Sequence, residues 1–264
     1  MIGFIGCGNM ANAMINGMIK NNINPNEICV FDPNKEKLDA MGLKGIVICE
    51  NNIDVFKNSK YVFLAIKPNV YNDVLNEVKN YIKDDNVLIS MAAGYKIDSI
   101  KQIIGERKVA RIMPNTPALV QEGLTALCFD NLINENEKME IKKLLSSFSY
   151  VIETKENYIN AYSAVSGSGP AYVFMFIEAM ADAAVLLGIP RDDAYKVAQQ
   201  TLLGSAKLSM TSGKHPGELK DMVCSPGGTT IEGVRTLEEK CFRSAIIECI
   251  INTYKKNLDI NNIR

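Results

Sequence analysis

Met1-Ile2-Gly3-Phe4-Ile5-Gly6-Cys7-Gly8-Asn9-Met10-Ala11 opens the chain, and its reading decides the fold. A short apolar run, residues 1–5, has the character of a buried strand and leads into Gly6-Cys7-Gly8. The apolar-periodic stretch 10–20, carrying Met14 and Met18, follows at once. Strand, glycine turn and helix in this order form the Gly-x-Gly-x-x-Ala version of the dinucleotide fingerprint. In it Gly6 permits the tight turn, Gly8 lets a pyrophosphate approach the backbone, and Ala11 lets the helix pack close. A second strand, 28–31, ends at Asp32. An acidic side chain there accepts hydrogen bonds from adenosine ribose hydroxyls and repels a 2′-phosphate. Lys35 and Lys37 lie just beyond and offer that phosphate a countercharge, so NADH and NADPH both stay open.

Working outward, further strands are expected at 46–48, 61–65, 86–90 and 108–112, with helices at 70–81 and 97–104 between them. This alternation specifies a parallel sheet with right-handed crossovers. From residue 156 the strand signal stops, and apolar-periodic stretches at 170–187, 192–210, 230–239 and 241–258 read as helices. The expected fold is therefore α/β. A Rossmann-like, doubly wound domain covers residues 1–155, and an all-α domain covers 156–264. The helix at 170–187, closed by Gly188-Ile189-Pro190, is apolar on most sides and needs cover from several neighbours or a second subunit.

Composition narrows the function classes. The 264 residues are 47% hydrophobic and carry a net charge of −1 with no block of like charge, so neither a nucleic-acid nor a membrane partner is expected. The first strand begins at residue 1, leaving no room for a leader, and no later apolar run reads as a membrane span; a cytoplasmic protein is expected. The seven cysteines are scattered without a Cys-x-x-Cys pair and read as reduced thiols, not as a zinc site or a disulfide framework. Cys7 reads as a space-filler in the glycine turn, and the single histidine, His215, as a surface-loop residue.

Three more segments end strands of the first domain: Ala65-Ile66-Lys67-Pro68, Met91-Ala92-Ala93-Gly94 and Met113-Pro114-Asn115-Thr116-Pro117. A doubly wound sheet takes its ligands at this carboxyl edge, where small residues admit a flat ring and Lys67 brings positive charge. Two glycine-rich turns, Ser166-Gly167-Ser168-Gly169-Pro170 and Ser225-Pro226-Gly227-Gly228-Thr229-Thr230, run into helices of the second domain. Each should offer free amides and a positive helix end to a small anion. The spacing of Thr229 and Glu232 also suits a capping box.

Taken in order, the motifs at 6–10, 65–68, 113–117, 166–172 and 225–231 resemble those of the pyrroline-5-carboxylate reductase family over essentially the whole chain. The resemblance implies reduction of 1-pyrroline-5-carboxylate to L-proline by NADPH or NADH. It also implies a homodimer through interlocked helical domains, often assembled into a decamer. It places cofactor contacts on Gly6, Cys7, Gly8, Asn9, Met10, Ala11, Asp32, Asn34, Asn52, Ala65, Ile66, Lys67, Pro68 and Ala93. Substrate contacts fall on Gly228, Thr229, Thr230 and Glu156, with Thr230 as the catalytic hydroxyl. Asp32 departs from the neutral or basic residue common among relatives, which puts the usual NADPH preference in question. A β-hydroxyacid dehydrogenase would share the domain order, but Ser168-Gly169-Pro170-Ala171-Tyr172 lacks the lysine that alcohol chemistry uses. A non-catalytic dinucleotide sensor would bind cofactor without turnover.

Overall fold

The structure, a computed structural model, describes residues 1–92 and 94–262. Eight strands form one sheet: β1 (Ile2–Ile5), β2 (Ile28–Phe31), β3 (Val47–Ile48), β4 (Tyr61–Leu64), β5 (Val87–Ser90), β6 (Lys108–Met113), β7 (Gly123–Phe129) and β8 (Ser149–Glu153). Their order is β3-β2-β1-β4-β5-β6-β7-β8. The first six run parallel, as the strand and helix rhythm predicts. Strand β7 turns back antiparallel on β6 and β8 runs parallel to β7, so the sheet is not wholly parallel as expected. The reversal follows from the short connection through Thr116–Val120, which is too brief for a crossover helix.

The helices are α1 (Asn9–Lys20), α2 (Lys35–Gly42), α3 (Asn52–Asn58), α4 (Tyr71–Val78), α5 (Ile97–Ile104), α6 (Glu135–Leu145), α7 (Ile159–Tyr162), α8 (Gly169–Leu186), α9 (Arg191–Ser212), α10 (Pro216–Val223), α11 (Thr229–Glu239) and α12 (Phe242–Asn262). Asparagine side chains start three of them: Asn34 and Asn51 cap α2 and α3, and Asn134 forms a reciprocal capping box with Glu137 on α6. Two apolar layers sandwich the sheet. Phe4, Met14 and Phe63 belong to one, and Phe56, Leu64 and Tyr71 to the other.

The chain divides into two compact units, one of residues 1–168 with the chain from Thr253 onward, the other Gly169–Asn252. The second unit is wholly helical between its turns. Its buried apolar centre is small: Ala181, Ala194 and Ala198, flanked by Ile177, Met180 and Val185. Phe174, Met175 and Leu186 stand exposed on α8, and α10 and α11 bury no residue.

One expectation needs correction. The continuous helical path Glu156–Leu186 is long and apolar enough by length and composition to cross a membrane, although no single run in the sequence suggested it. Four segments, the 3-10 turn Glu156–Tyr158, α7, the π-helical turn Ser163–Gly167 and α8, follow one another to give that length.

Gly17 shows how tightly the first layer is closed. A Cβ there would lie 2.6 Å from the Phe148 Cβ, so the wall beside α1 has no room for a methyl group. Replacing a helical glycine by alanine ordinarily stabilises by roughly 1 kcal/mol. Gly17→Ala should instead destabilise by about 1–3 kcal/mol through overpacking, measured as a fall in the urea midpoint.

Candidate active site

The fingerprint turn is built as its sequence requires. Gly6 has φ +96°, and a Cβ on it would sit 2.5 Å from the Ala65 carbonyl oxygen, so both backbone geometry and crowding demand glycine. The Gly6 N–H donates to Phe31 O at 2.7 Å and the Ala65 N–H to Ile5 O at 2.8 Å, tying together the ends of β1, β2 and β4. Gly8 caps α1 with no side-chain hydrogen bond, and a Cβ added there would meet nothing within 4 Å. The first amides of α1 therefore face open space beside a residue with no side chain. An uncapped helix end with that access fits a pyrophosphate. Ala11 is fully buried, so the helix packs tightly behind the turn. Cys7 is buried too; burial and the nearby Asp32 push its thiol up to about 12, which fits a space-filler rather than a nucleophile.

Asp32 lies at the end of β2, only 6% exposed. Its Oδ2 accepts the Cys7 N–H at 2.8 Å and its Oδ1 the Asn34 N–H at 2.9 Å. Lys37 Nζ approaches Oδ2 at 3.6 Å. The carboxylate thus braces the glycine turn from below and is partly countercharged from above. Lys44 reaches the α1 side chains Asn12 Oδ1 at 3.1 Å and Asn16 Oδ1 at 2.9 Å. Asn34 is exposed but spends its carbonyl on the Lys37 N–H. Asn52 opens α3 with its amide nitrogen on Glu77 Oε2 at 2.8 Å. Ala65, Ile66, Lys67 and Pro68 follow β4, with Lys67 exposed. Met91, Ala92 and Gly94 follow β5, and the expectation for Ala93 falls outside the described residues. Asn9 and Met10 begin α1.

The two glycine-rich turns differ in structure. Gly228 caps α11 without a side-chain hydrogen bond, and a Cβ on Gly228 would collide with the Ser225 Oγ. Gly227 has φ +66°, so the turn needs both glycines and leaves the amides of Thr229 and Thr230 without a side-chain cap. The capping box predicted from Thr229 and Glu232 does not form: Glu232 pairs with Arg235 at 2.8 Å instead. The other turn is not the open helix start predicted. Ser163–Gly167 is a π-helical turn, and the Ser168 N–H is spent on Ser163 O at 3.0 Å. The extra residue of a π-turn joins α7 to α8 without a break, so no free helix end is presented. Glu156 also faces inward: its Oε1 accepts the Ile97 N–H at 2.7 Å and Arg111 Nη1 at 3.1 Å. His215 is exposed and caps α10 through Nδ1, a structural surface role.

A pocket of about 640 Å³ opens on the opposite edge of the sheet, beside Ile2, Tyr61 and Leu144. None of its lining residues is among the expected cofactor or substrate contacts.

Residues 1–94 match the family model for NADP oxidoreductase, coenzyme F420-dependent, and residues 156–260 match that for pyrroline-5-carboxylate reductase dimerisation. The pyrroline-5-carboxylate reductase of Escherichia coli (strain K12) is 45% identical over 259 residues, 97% of this chain and 96% of that protein. The chain belongs to the pyrroline-5-carboxylate reductase family. Two solved members agree along their length. That of Coxiella burnetii superposes with a TM-score of 0.93 at 32% identity, covering 98% of this chain and 97% of the other. That of Plasmodium falciparum, solved with NADP bound, gives 0.89 at 30% identity with the same coverage. The protein is an NAD(P)H-dependent oxidoreductase that reduces 1-pyrroline-5-carboxylate to proline, and its helical half forms a homo-oligomer.

The contrast between the two fingerprint glycines yields a test in this reductase. Gly8→Ala should fold with a stability within about 0.5 kcal/mol of the parent, since its Cβ meets nothing. Its dinucleotide affinity, measured by nicotinamide fluorescence, should fall at least about tenfold because the methyl group stands where a pyrophosphate approaches. Unchanged affinity would move the cofactor elsewhere.

Proposed function

We propose that residues 1–155 bind the dinucleotide through Gly6–Ala11, Asp32, Asn34, Asn52, Ala65–Pro68 and Ala93, and that residues 156–264 hold the substrate and the subunit contact. Support comes chiefly from the uncapped start of α11, where Gly228, Thr229 and Thr230 offer amides and hydroxyls to a carboxylate and a ring nitrogen. When bound, the reduced nicotinamide supplies the hydride that adds to the imine carbon. The residues of the chain hold and orient. A cyclic imine is readily protonated, and its iminium carbon accepts hydride without a strong enzymic acid, so positioning and fixed dipoles carry the rate. Thr229 and the backbone of Gly228 hold the carboxylate. The Thr230 hydroxyl accepts from the protonated ring nitrogen and fixes which face of the ring meets the hydride. Glu156, assigned to the substrate by the resemblance, has only Oε2 left for it. The assembly is a homodimer that can build to a decamer, and the working compartment is the cytoplasm.

Mixing the purified protein with 1-pyrroline-5-carboxylate and either NADH or NADPH should bleach the nicotinamide absorbance; no bleaching with either cofactor would overturn the assignment. Thr230→Ala should lower kcat by about 10- to 100-fold while leaving dinucleotide affinity within about twofold. Asp32→Ser should raise the NADPH-to-NADH ratio of kcat/KM about tenfold by removing a negative charge from the ribose site. An unmoved ratio would confine Asp32 to bracing the turn.

A further inference from the structure

Arg111 is the only charged residue in the interior of β6, and it is 2% exposed. In the sheet it lies level with Ser90 of β5 and Cys128 of β7. Its Nη1 meets Glu156, while Nε and Nη2 find no hydrogen-bond acceptor among the described residues. A guanidinium stays charged at any working pH, so burying it needs an anion close by. Its neighbours Ser90, Cys128 and Tyr71 do not supply one. Burial pushes the Cys128 thiol up to about 12 and raises the Tyr71 phenol well above its ordinary value, where its hydroxyl bonds Ser90 Oγ at 2.8 Å. Among the described residues Glu156 is the one ion-pair partner of Arg111.

The same Glu156 oxygen does a second job. It accepts the N–H of Ile97, the first residue of α5, whose own N-cap residue Lys96 offers no side-chain bond. The helix is therefore capped from 59 residues away in sequence. That contact fixes the far end of the segment joining β5 to α5, which begins at Met91 on the carboxyl edge of the sheet, where doubly wound folds seat their cofactor. Glu156 also opens the helical path that continues through the π-turn. Asn115, four residues beyond Arg111, fastens that path at its π-turn: its Nδ2 donates to Ser166 O at 3.0 Å, and its Oδ1 accepts the Leu124 N–H at 2.8 Å.

We infer that Arg111 is a positioning residue for the reduction, acting through Glu156 to fix the start of α5 at Ile97, close behind the carboxyl edge of the sheet. It touches neither cofactor nor substrate; it sets the carboxylate that caps the helix. This rests on the reductase reading, and the test separates the two.

Four proteins decide it: the parent, Arg111→Lys, Arg111→Met, and Arg111→Met combined with Glu156→Gln. For each, the NADH and NADPH dissociation constants come from nicotinamide fluorescence, kcat from 1-pyrroline-5-carboxylate turnover, and the folded fraction from circular dichroism. Arg111→Met, measured on folded protein, should weaken cofactor binding and lower kcat, each about tenfold, because an α5 start released from Glu156 loosens the edge of the sheet where a doubly wound fold seats its cofactor. Arg111→Lys should recover part of both by returning one charged donor to Glu156. The double variant should bind cofactor more tightly than Arg111→Met, since glutamine still caps Ile97 without an unpaired charge. Folded Arg111→Met with cofactor affinity and kcat within twofold of the parent would overturn the inference. So would losses that track the unfolded fraction and are rescued by neither companion variant. A parent protein that binds cofactor without reducing the imine would instead sink the reductase reading, and the binding constants would still judge Arg111.

Discussion

The backbone of Gly6 runs against the carbonyl of Ala65 too closely for any side chain, and the rest of the first unit is arranged around that approach. Strand β1 pairs with β2 on one side and β4 on the other, so the strand order reverses here and the chain leaves the two edges in opposite directions. The crevice that results is where an open α/β sheet takes its ligand. Asp32 strengthens the same point by accepting the Cys7 amide, so the second strand holds the turn of the first. An anion site made of amides works only if those amides are fixed before the ligand arrives, and these three strands fix them.

The helical unit poses the opposite problem. Its amphipathic signals are weak because its apolar residues point in most directions, and its own centre consists of three alanines with a few larger neighbours. Phe174, Met175 and Leu186 stand exposed in a segment that matches a dimerisation family. The same composition explains why Glu156–Leu186 passes a length and hydropathy test for a membrane span. A helix meant to be buried by protein on every side has the composition of one meant to be buried by lipid.

Much of this was legible from residues alone. The fingerprint, all six strands that form the parallel part and the four long helices stand close to where periodicity puts them, the strands to within one residue at each end. Strands β7 and β8 were missed for different reasons. Strand β7 is buried on both faces and shows no alternation, whereas β8 is half exposed and mixes Ser149, Tyr150 and Glu153 with two aliphatics. Helix α6 is mostly charged and so lacks an apolar stripe, yet Asn134 and Glu137 at capping-box spacing would have marked its start. At the site, the π-turn at Ser163–Gly167 defeated a reading based on Gly-Pro punctuation, because a continuous helix with one extra residue has no sequence signature of its own. Arg111 was invisible for a related reason. A lone arginine in an apolar strand looks like an edge residue until the partner strand and the distant Glu156 are both in place.

The alanine seam between α8 and α9 carries one more consequence. With Ala181, Ala194 and Ala198 as its buried centre, the helical unit removes little apolar surface from water by itself, and in a homo-oligomer any cover over its exposed side chains adds to what holds its helices in place. Folding and association are then one equilibrium. Melting temperature becomes a function of protein concentration, and dilution acts on this enzyme as a denaturant does on a monomer.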